Sequence, residues 1–170
     1  DYPAPEPEDL KAAVVAVHPS WKVSREQVLV GGGSMGVLVT LVRLLLRPGS
    51  VMSGVSPQFT DTVLQVLYNG ASYEPVELQA PHYTMGVPQL LEALGKKPDV
   101  LYLDRPNNPT GQVLPLDDVA RLARAAMETG TWVISDEAYG DFLPDDESAA
   151  MLDFPNLVTC RSFSKGPGAA

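Results

Sequence analysis

The chain of 170 residues predicts an α/β fold with three layers, α/β/α, built on a mostly parallel sheet. Short apolar runs rich in Val and Leu alternate with longer amphipathic stretches, the pattern of βαβ units. Gly, Pro and Asn-Gly breaks separate the two kinds of segment. The polar clusters of the second half fall just after, or at the end of, the apolar runs. In parallel sheets, loops at the carboxyl ends of strands form the ligand crevice.

Asp1 to Pro7 holds three prolines and cannot be a helix interior. A helix is expected from Glu8 to about Val17, then a brief strand at Val28-Leu29-Val30. Gly31-Gly32-Gly33 reads as a tight loop, with Ser34 as N-cap of a helix to Leu46 that Arg47-Pro48-Gly49 stops. Val51–Val55 is a strand, and Gln58–Tyr68 a helix ended by Asn69-Gly70. There follow strand Tyr73–Leu78, helix Val87–Leu94, strand Val100–Leu103 and helix Leu116–Glu128. Strands Trp132–Ser135 and Leu157–Cys160 complete the series. No repeat, low-complexity segment or linker divides the chain, so residues 1–170 read as one domain.

Hydrophobic residues make up 45% of the chain, enough for a real core. Twelve basic residues against 21 acidic ones give a formal charge of −9, which disfavours a nucleic-acid footprint. One cysteine, Cys160, excludes an intrachain disulfide and a cysteine-rich zinc site, and no metal is expected. No apolar run approaches the ~20 residues of a membrane span, since Arg43 interrupts Leu41–Leu46. A cytoplasmic protein is the expectation. The chain opens on Asp1 and breaks off in Gly166-Pro167-Gly168-Ala169-Ala170, so a piece of a longer protein, incomplete at both ends, is expected.

Gly31-Gly32-Gly33-Ser34-Met35-Gly36 matches G-x-G-x-x-G between an expected strand and a helix. A dinucleotide fold also needs an acidic residue about 20 positions on, to hold a ribose. Val51-Met52-Ser53-Gly54-Val55 offers none. What remains is an expected anion site, because free N–H groups at a helix start bind phosphate. A plain tight turn is the other reading.

Three further runs carry chemistry: Asn107-Asn108-Pro109-Thr110-Gly111, Ser135-Asp136-Glu137-Ala138-Tyr139 and Arg161-Ser162-Phe163-Ser164-Lys165-Gly166. Asp136 ends an apolar strand, so its carboxylate is expected to be partly buried and to need a partner. A protonated pyridine nitrogen is one such partner, and the pair would keep the ring an electron acceptor. Asn108 and Tyr139 are donors suited to a phenolic oxygen, and Lys165 is an amine suited to an aldehyde. Singly, each residue has an ordinary reading: a helix-capping acid, turn chemistry at Asn-Pro, a surface lysine, serines facing solvent. Their order and spacing are the stronger signal. Asn108 and Asp136 are 28 residues apart and Asp136 and Lys165 are 29, each gap about one helix plus one strand. Consecutive strand ends would bring the three into one crevice.

At these runs the chain resembles the fold type I pyridoxal-phosphate enzymes, class I/II aminotransferases, and within them the histidinol-phosphate aminotransferase branch and the related threonine-phosphate decarboxylases. Tyr2-Pro3-Ala4-Pro5-Glu6-Pro7 and Glu26-Gln27-Val28-Leu29-Val30 also resemble that branch, whereas Ser34-Met35-Gly36 replaces its more polar residues. The resemblance implies that Lys165 forms the Schiff base with pyridoxal phosphate and later moves a proton. It implies that Asp136 pairs with the pyridine nitrogen, and that Asn108 and Tyr139 bind the phenolic oxygen, with Ala138 in the same run. Gly33, Ser34 and Met35 would present N–H groups to the phosphate, with hydroxyls from Ser162 and Ser164. Phe59 falls where the family stacks an aromatic on the ring; a core Phe on an amphipathic helix is the alternative. Tyr2 falls where the family reaches across a homodimer interface to the partner's phosphate; a mobile terminal residue is the alternative. The family's phosphate-binding and carboxylate-binding arginines would lie beyond Ala170, the latter in a small carboxyl-terminal domain. An amino-terminal arm would precede Tyr2.

The implied reaction moves an amino group from a small amino donor to a 2-oxo acid. Decarboxylation, cyclisation or oxidation on the same scaffold stays open, as does a non-catalytic fragment.

Overall fold

The computed structural model describes residues 7–168. Five parallel strands form one sheet: β1 (Val51–Ser56), β2 (Ser72–Glu77), β3 (Val100–Asp104), β4 (Trp132–Glu137) and β5 (Leu157–Arg161), in the order β2-β1-β3-β4-β5. The α-helices among the described residues are α1 (Glu8–Val17), α2 (Gly33–Leu45), α3 (Thr60–Tyr68), α4 (Val87–Gly95) and α5 (Leu116–Thr129), of which α2 to α5 pack against the sheet.

The two faces of the sheet carry separate cores, because side chains alternate along a strand. On β3, Leu101 and Leu103 face α4 and α5 and pack with Leu90, Leu94, Val119 and Leu122. Val100 and Tyr102 face the other way and pack with Leu38, Leu41 and Val42 of α2 and Val66 of α3. Three layers, α/β/α, result. Burial of one such Leu contributes about 1.5–3 kcal/mol. The strand order reverses direction at β1 and β3, a topological switch point where open sheets of this kind bind ligands beyond the strand ends.

Three expectations are corrected. Val28-Leu29-Val30 is not a strand: it is a connecting segment without a sheet partner, and Leu29 is 69% exposed. Its β-branched residues suit a strand, but propensity alone forms no ladder. Ser34 is not an N-cap; Gly32 is, and Ser34 lies inside the first turn of α2. Gly33 turns the chain into the helix one residue early with φ +70, a region open to glycine. Helix α3 begins at Thr60 rather than Gln58, since Phe59 before it is extended.

The segment after α1 is pinned to the region following β4. The rings of His18 and Trp21 stack 3.8 Å apart. Asp145 gathers both, with Oδ1 2.6 Å from His18 Nδ1 and its carbonyl accepting from Trp21 Nε1 at 3.2 Å. The Arg161 guanidinium lies 5.1 Å from the Trp21 ring, a cation–π distance. Among the described residues no helix is long and apolar enough to cross a membrane.

Candidate functional site

A cavity of about 230 Å³ opens at the carboxyl end of the sheet. The first turn of α2 contributes Gly33, Ser34 and Met35 to its wall, and the β1–α3 loop contributes Phe59. The end of β3 and the loop beyond it supply Asp104 and Asn108; β4 and its loop supply Asp136, Ala138 and Tyr139. The loop after β5 brings Ser164 and Lys165. Residues from five segments meet here because parallel strands all end on one side.

Ser162 does not line the cavity. It is buried behind it, its Oγ 2.6 Å from that of Ser164 and accepting the Ser164 N–H at 3.2 Å. Tyr2 lies outside the described residues.

Asp136 forms part of the floor and is 3% exposed. Its Oδ2 accepts the Tyr102 hydroxyl at 2.6 Å and its Oδ1 accepts the Ala138 N–H at 3.1 Å. Burial pushes its carboxyl pKa up, the two hydrogen bonds oppose that, and the charge of Glu137 adds to it. A buried carboxylate of this kind calls for a cation. At another wall, the N–H groups of Ser34 and Met35 in the first turn of α2 have no side-chain cap and suit an anion, whereas the Gly33 N–H, expected to join them, donates instead to the Gly31 carbonyl at 2.9 Å. Lys165 Nζ lies 5.4 Å from the Tyr139 ring centroid.

Two residues of this site escaped the sequence reading. Asp104 lines the cavity beside Asp136, its partner in the β3–β4 register. Burial raises its carboxyl to about 7; N–H bonds from Asn108 and Phe59 oppose that shift, and the Asp136 charge adds to it. Tyr102 supports Asp136 from below, its hydroxyl driven far above the phenol range by burial and then by the charges of Asp136 and Asp104. A signal for Asp104 was present: Val100-Leu101-Tyr102-Leu103-Asp104 and Trp132-Val133-Ile134-Ser135-Asp136 are parallel apolar runs, each ending in Asp. Tyr102 left no such mark.

A second polar group lies beside the floor. Arg105 and Glu137 are both fully buried and pair at 3.1 Å. Arg161 reaches the same carboxylate at 3.3 Å and Asp141 at 2.6 Å. Gly140 makes room, since a Cβ there would fall 2.6 Å from Arg161 Nη1.

The donor set fits pyridoxal phosphate in three places: an anion site at the α2 start, a buried carboxylate for a basic ring nitrogen, and an amine at Lys165. Comparison with known proteins agrees with that chemistry. The chain is 33% identical to histidinol-phosphate aminotransferase 2 of Nitrosospira multiformis over 99% of its own length and 43% of that protein. It is 36% identical to histidinol-phosphate aminotransferase of Symbiobacterium thermophilum over 88% of its length and 41% of that protein. Among solved structures, histidinol-phosphate aminotransferase of Sinorhizobium meliloti, in complex with pyridoxal-5'-phosphate, superposes with a TM-score of 0.86 at 29% identity, over 99% of this chain and 45% of that one. Aspartate aminotransferase of Thermotoga maritima shares the fold, with a TM-score of 0.86 at 24% identity over 99% of this chain and 48% of that one. The chain thus spans less than half the length of the relatives it matches. The sequence model for aminotransferase class I and II matches residues 1–170, end to end, and the chain belongs to that family.

Proposed function

We propose that this chain is the large, cofactor-binding domain of a pyridoxal-phosphate-dependent aminotransferase, which passes an amino group between an amino acid or related amine and a 2-oxo acid. One observation carries the reading: Asp136, Asn108, Tyr139 and Lys165, from the end of one strand and the loops that follow three, line one cavity with the start of α2. When bound, pyridoxal phosphate supplies an aldehyde that condenses with amines and a cationic ring that takes up electron density.

The residues divide the work. The N–H groups of Ser34 and Met35 and the hydroxyl of Ser164, all at the cavity wall, would hold the phosphate. Asp136 would accept a hydrogen bond from the protonated ring nitrogen and keep its charge in place. Asn108 and Tyr139 would donate to the phenolic oxygen, and Phe59 would supply the aromatic against the ring. Lys165 would be the amine that holds the aldehyde, and its Nζ would hold and move a proton at the substrate's α-carbon. The names of the relatives favour histidinol phosphate as amino donor. A cytoplasmic homodimer is part of the proposal, with Tyr2 reaching the partner's phosphate.

The test is spectroscopic. Titrated with pyridoxal phosphate, the protein is expected to gain a visible absorbance band that survives dialysis. Lys165→Ala is expected to lose the dialysis-stable band. A wild-type protein that takes up no pyridoxal phosphate overturns the proposal. Glutamate formed from histidinol phosphate and 2-oxoglutarate supports transamination; carbon dioxide released without glutamate assigns decarboxylation instead.

A further inference from the structure

One carboxylate oxygen joins two loops from different parts of the chain. Asp104 Oδ2 accepts the N–H of Phe59 at 3.2 Å and the N–H of Asn108 at 2.9 Å. Phe59 stands 45 residues before Asp104, in the β1–α3 loop; Asn108 stands four residues after it. Both residues line the cavity, as does Asp104 itself. Asp104 is only 4% exposed, so water does not compete freely for this oxygen.

We propose that Asp104 is a positioning residue of this site: by accepting both N–H groups on one oxygen it fixes Phe59 and Asn108 as walls of the cavity and ties their placement to its own charge. What those walls hold rests on the pyridoxal-phosphate reading; the tie between them does not.

The surroundings of Asp104 make that charge adjustable. Asp136 faces it from β4, Tyr102 belongs to its own strand, Tyr73 feels its charge from β2, and Lys165 shares the cavity from the loop after β5. With its carboxyl raised to about 7, the ionised and neutral forms coexist near neutral pH. The ionised form is the stronger acceptor, so protonation loosens both loops together. A cation bound against Asp136 relieves the repulsion between the two carboxylates and favours ionised Asp104. Ligand binding and wall placement are thereby linked.

The experiment follows the amide signals of Phe59 and Asn108 by NMR in ligand-free protein, from about pH 5 to about pH 9. In the wild type the two amides are expected to move with one shared midpoint near 7, the value to which Asp104 is raised. In Asp104→Asn that inflection is lost from both, while their solvent exchange stays within about 3-fold, because the amide oxygen still accepts. In Asp104→Leu both amides exchange about 10-fold faster. Amides that titrate separately or not at all, or an Asp104→Leu protein with wild-type exchange at both, overturn the proposal. If Asp104→Leu does not fold, the wild-type and Asp104→Asn titrations decide alone. A second arm measures pyridoxal phosphate affinity, expected to fall about 10-fold in Asp104→Leu and to lose its dependence on pH near 7 in Asp104→Asn. Wild-type protein that binds no pyridoxal phosphate sinks the functional reading and leaves the amide titration to judge Asp104.

Discussion

The hydroxyl of Tyr102 donates to Asp136 Oδ2 at 2.6 Å, beneath the floor of the cavity. Tyr102 is fully buried, and β3 carries it one strand away from the acid it supports. This bond lowers the Asp136 carboxyl against the upward push of burial, so it helps keep the acid charged. Tyr102→Phe removes the donor and leaves the packing. The Asp136 carboxyl is expected to rise further, and pyridoxal phosphate affinity to fall about 10-fold per unit of rise. Absorbance titration at fixed pH checks this; unchanged affinity would mean that the Ala138 N–H alone suffices to hold the charge.

The stability of the ligand-free protein should depend on pH in a direction set by Asp104. Its carboxyl is raised to about 7, so the fold binds this proton more tightly than the unfolded chain does. The unfolded chain releases it near 3.9, and between there and 7 the folded state carries the excess proton. Stability from this group is therefore fully present below about pH 4 and declines up to about pH 7. Urea midpoints of wild type and Asp104→Asn across that window measure it. The difference between the two proteins should track the decline; parallel curves would show that Asp104 is not the group responsible.

The sheet was readable in the sequence because parallel strands covered on both faces appear as apolar runs, and β1, β3 and β4 are such runs. The convergence of Asn108, Asp136, Tyr139 and Lys165 was readable for a related reason, since each follows or ends a strand. Val28-Leu29-Val30 misled because three apolar residues state a preference and not a partner. The start of α2 misled because Ser34 suits a cap, whereas the backbone freedom of Gly33 decided the turn. Tyr102 stayed hidden because its hydroxyl acts across the β3–β4 pairing, and a residue's neighbour on the next strand is not written in its own segment. Arg105 and Glu137 were left without a role likewise: Arg105 precedes one run and Glu137 lies within another, and only the packing shows that both are fully buried.

Gly54 holds open the close approach of β1, β2 and β3. A Cβ at this position would fall 2.7 Å from the Tyr102 carbonyl and 2.7 Å from the Tyr73 hydroxyl. That hydroxyl passes over the glycine to donate to the Val55 carbonyl at 2.7 Å. Gly54→Ala must push Tyr73 aside or spread β1 from β3, and overpacking of this kind costs about 1–3 kcal/mol. A lowered thermal midpoint is expected. Tyr73→Phe in the same background should recover part of the loss, because it removes one of the two clashing atoms. No recovery would place the strain at the Tyr102 carbonyl.

Arg105 is the largest fully buried side chain, and every nitrogen of its guanidinium is engaged. Nε donates to the Leu114 carbonyl at 2.6 Å, and Nη1 donates to the Glu147 carbonyl at 2.6 Å and to Glu137 at 3.1 Å. Nη2 reaches the Glu147 carboxylate at 3.4 Å. The planar fork thus ties the end of β3 to β4 and to the turns that follow it, a geometry lysine cannot reproduce. Arg105→Met fills similar space but leaves two carbonyls unpaired and Glu137 dependent on Arg161, the Ser135 and Ser148 hydroxyls and the Ala149 N–H. Removing one partner of a buried pair costs about 3–5 kcal/mol. Glu137→Gln alone should also destabilise, since it removes the negative charge between two guanidinium groups. The double variant Arg105→Met/Glu137→Gln should be less destabilised than the sum of the singles, by about 0.5–3 kcal/mol, because the first change removes one of the two cations facing position 137. Urea denaturation of the four proteins measures this coupling. Strict additivity would show that Arg105 acts through the Leu114 and Glu147 carbonyls and not through Glu137.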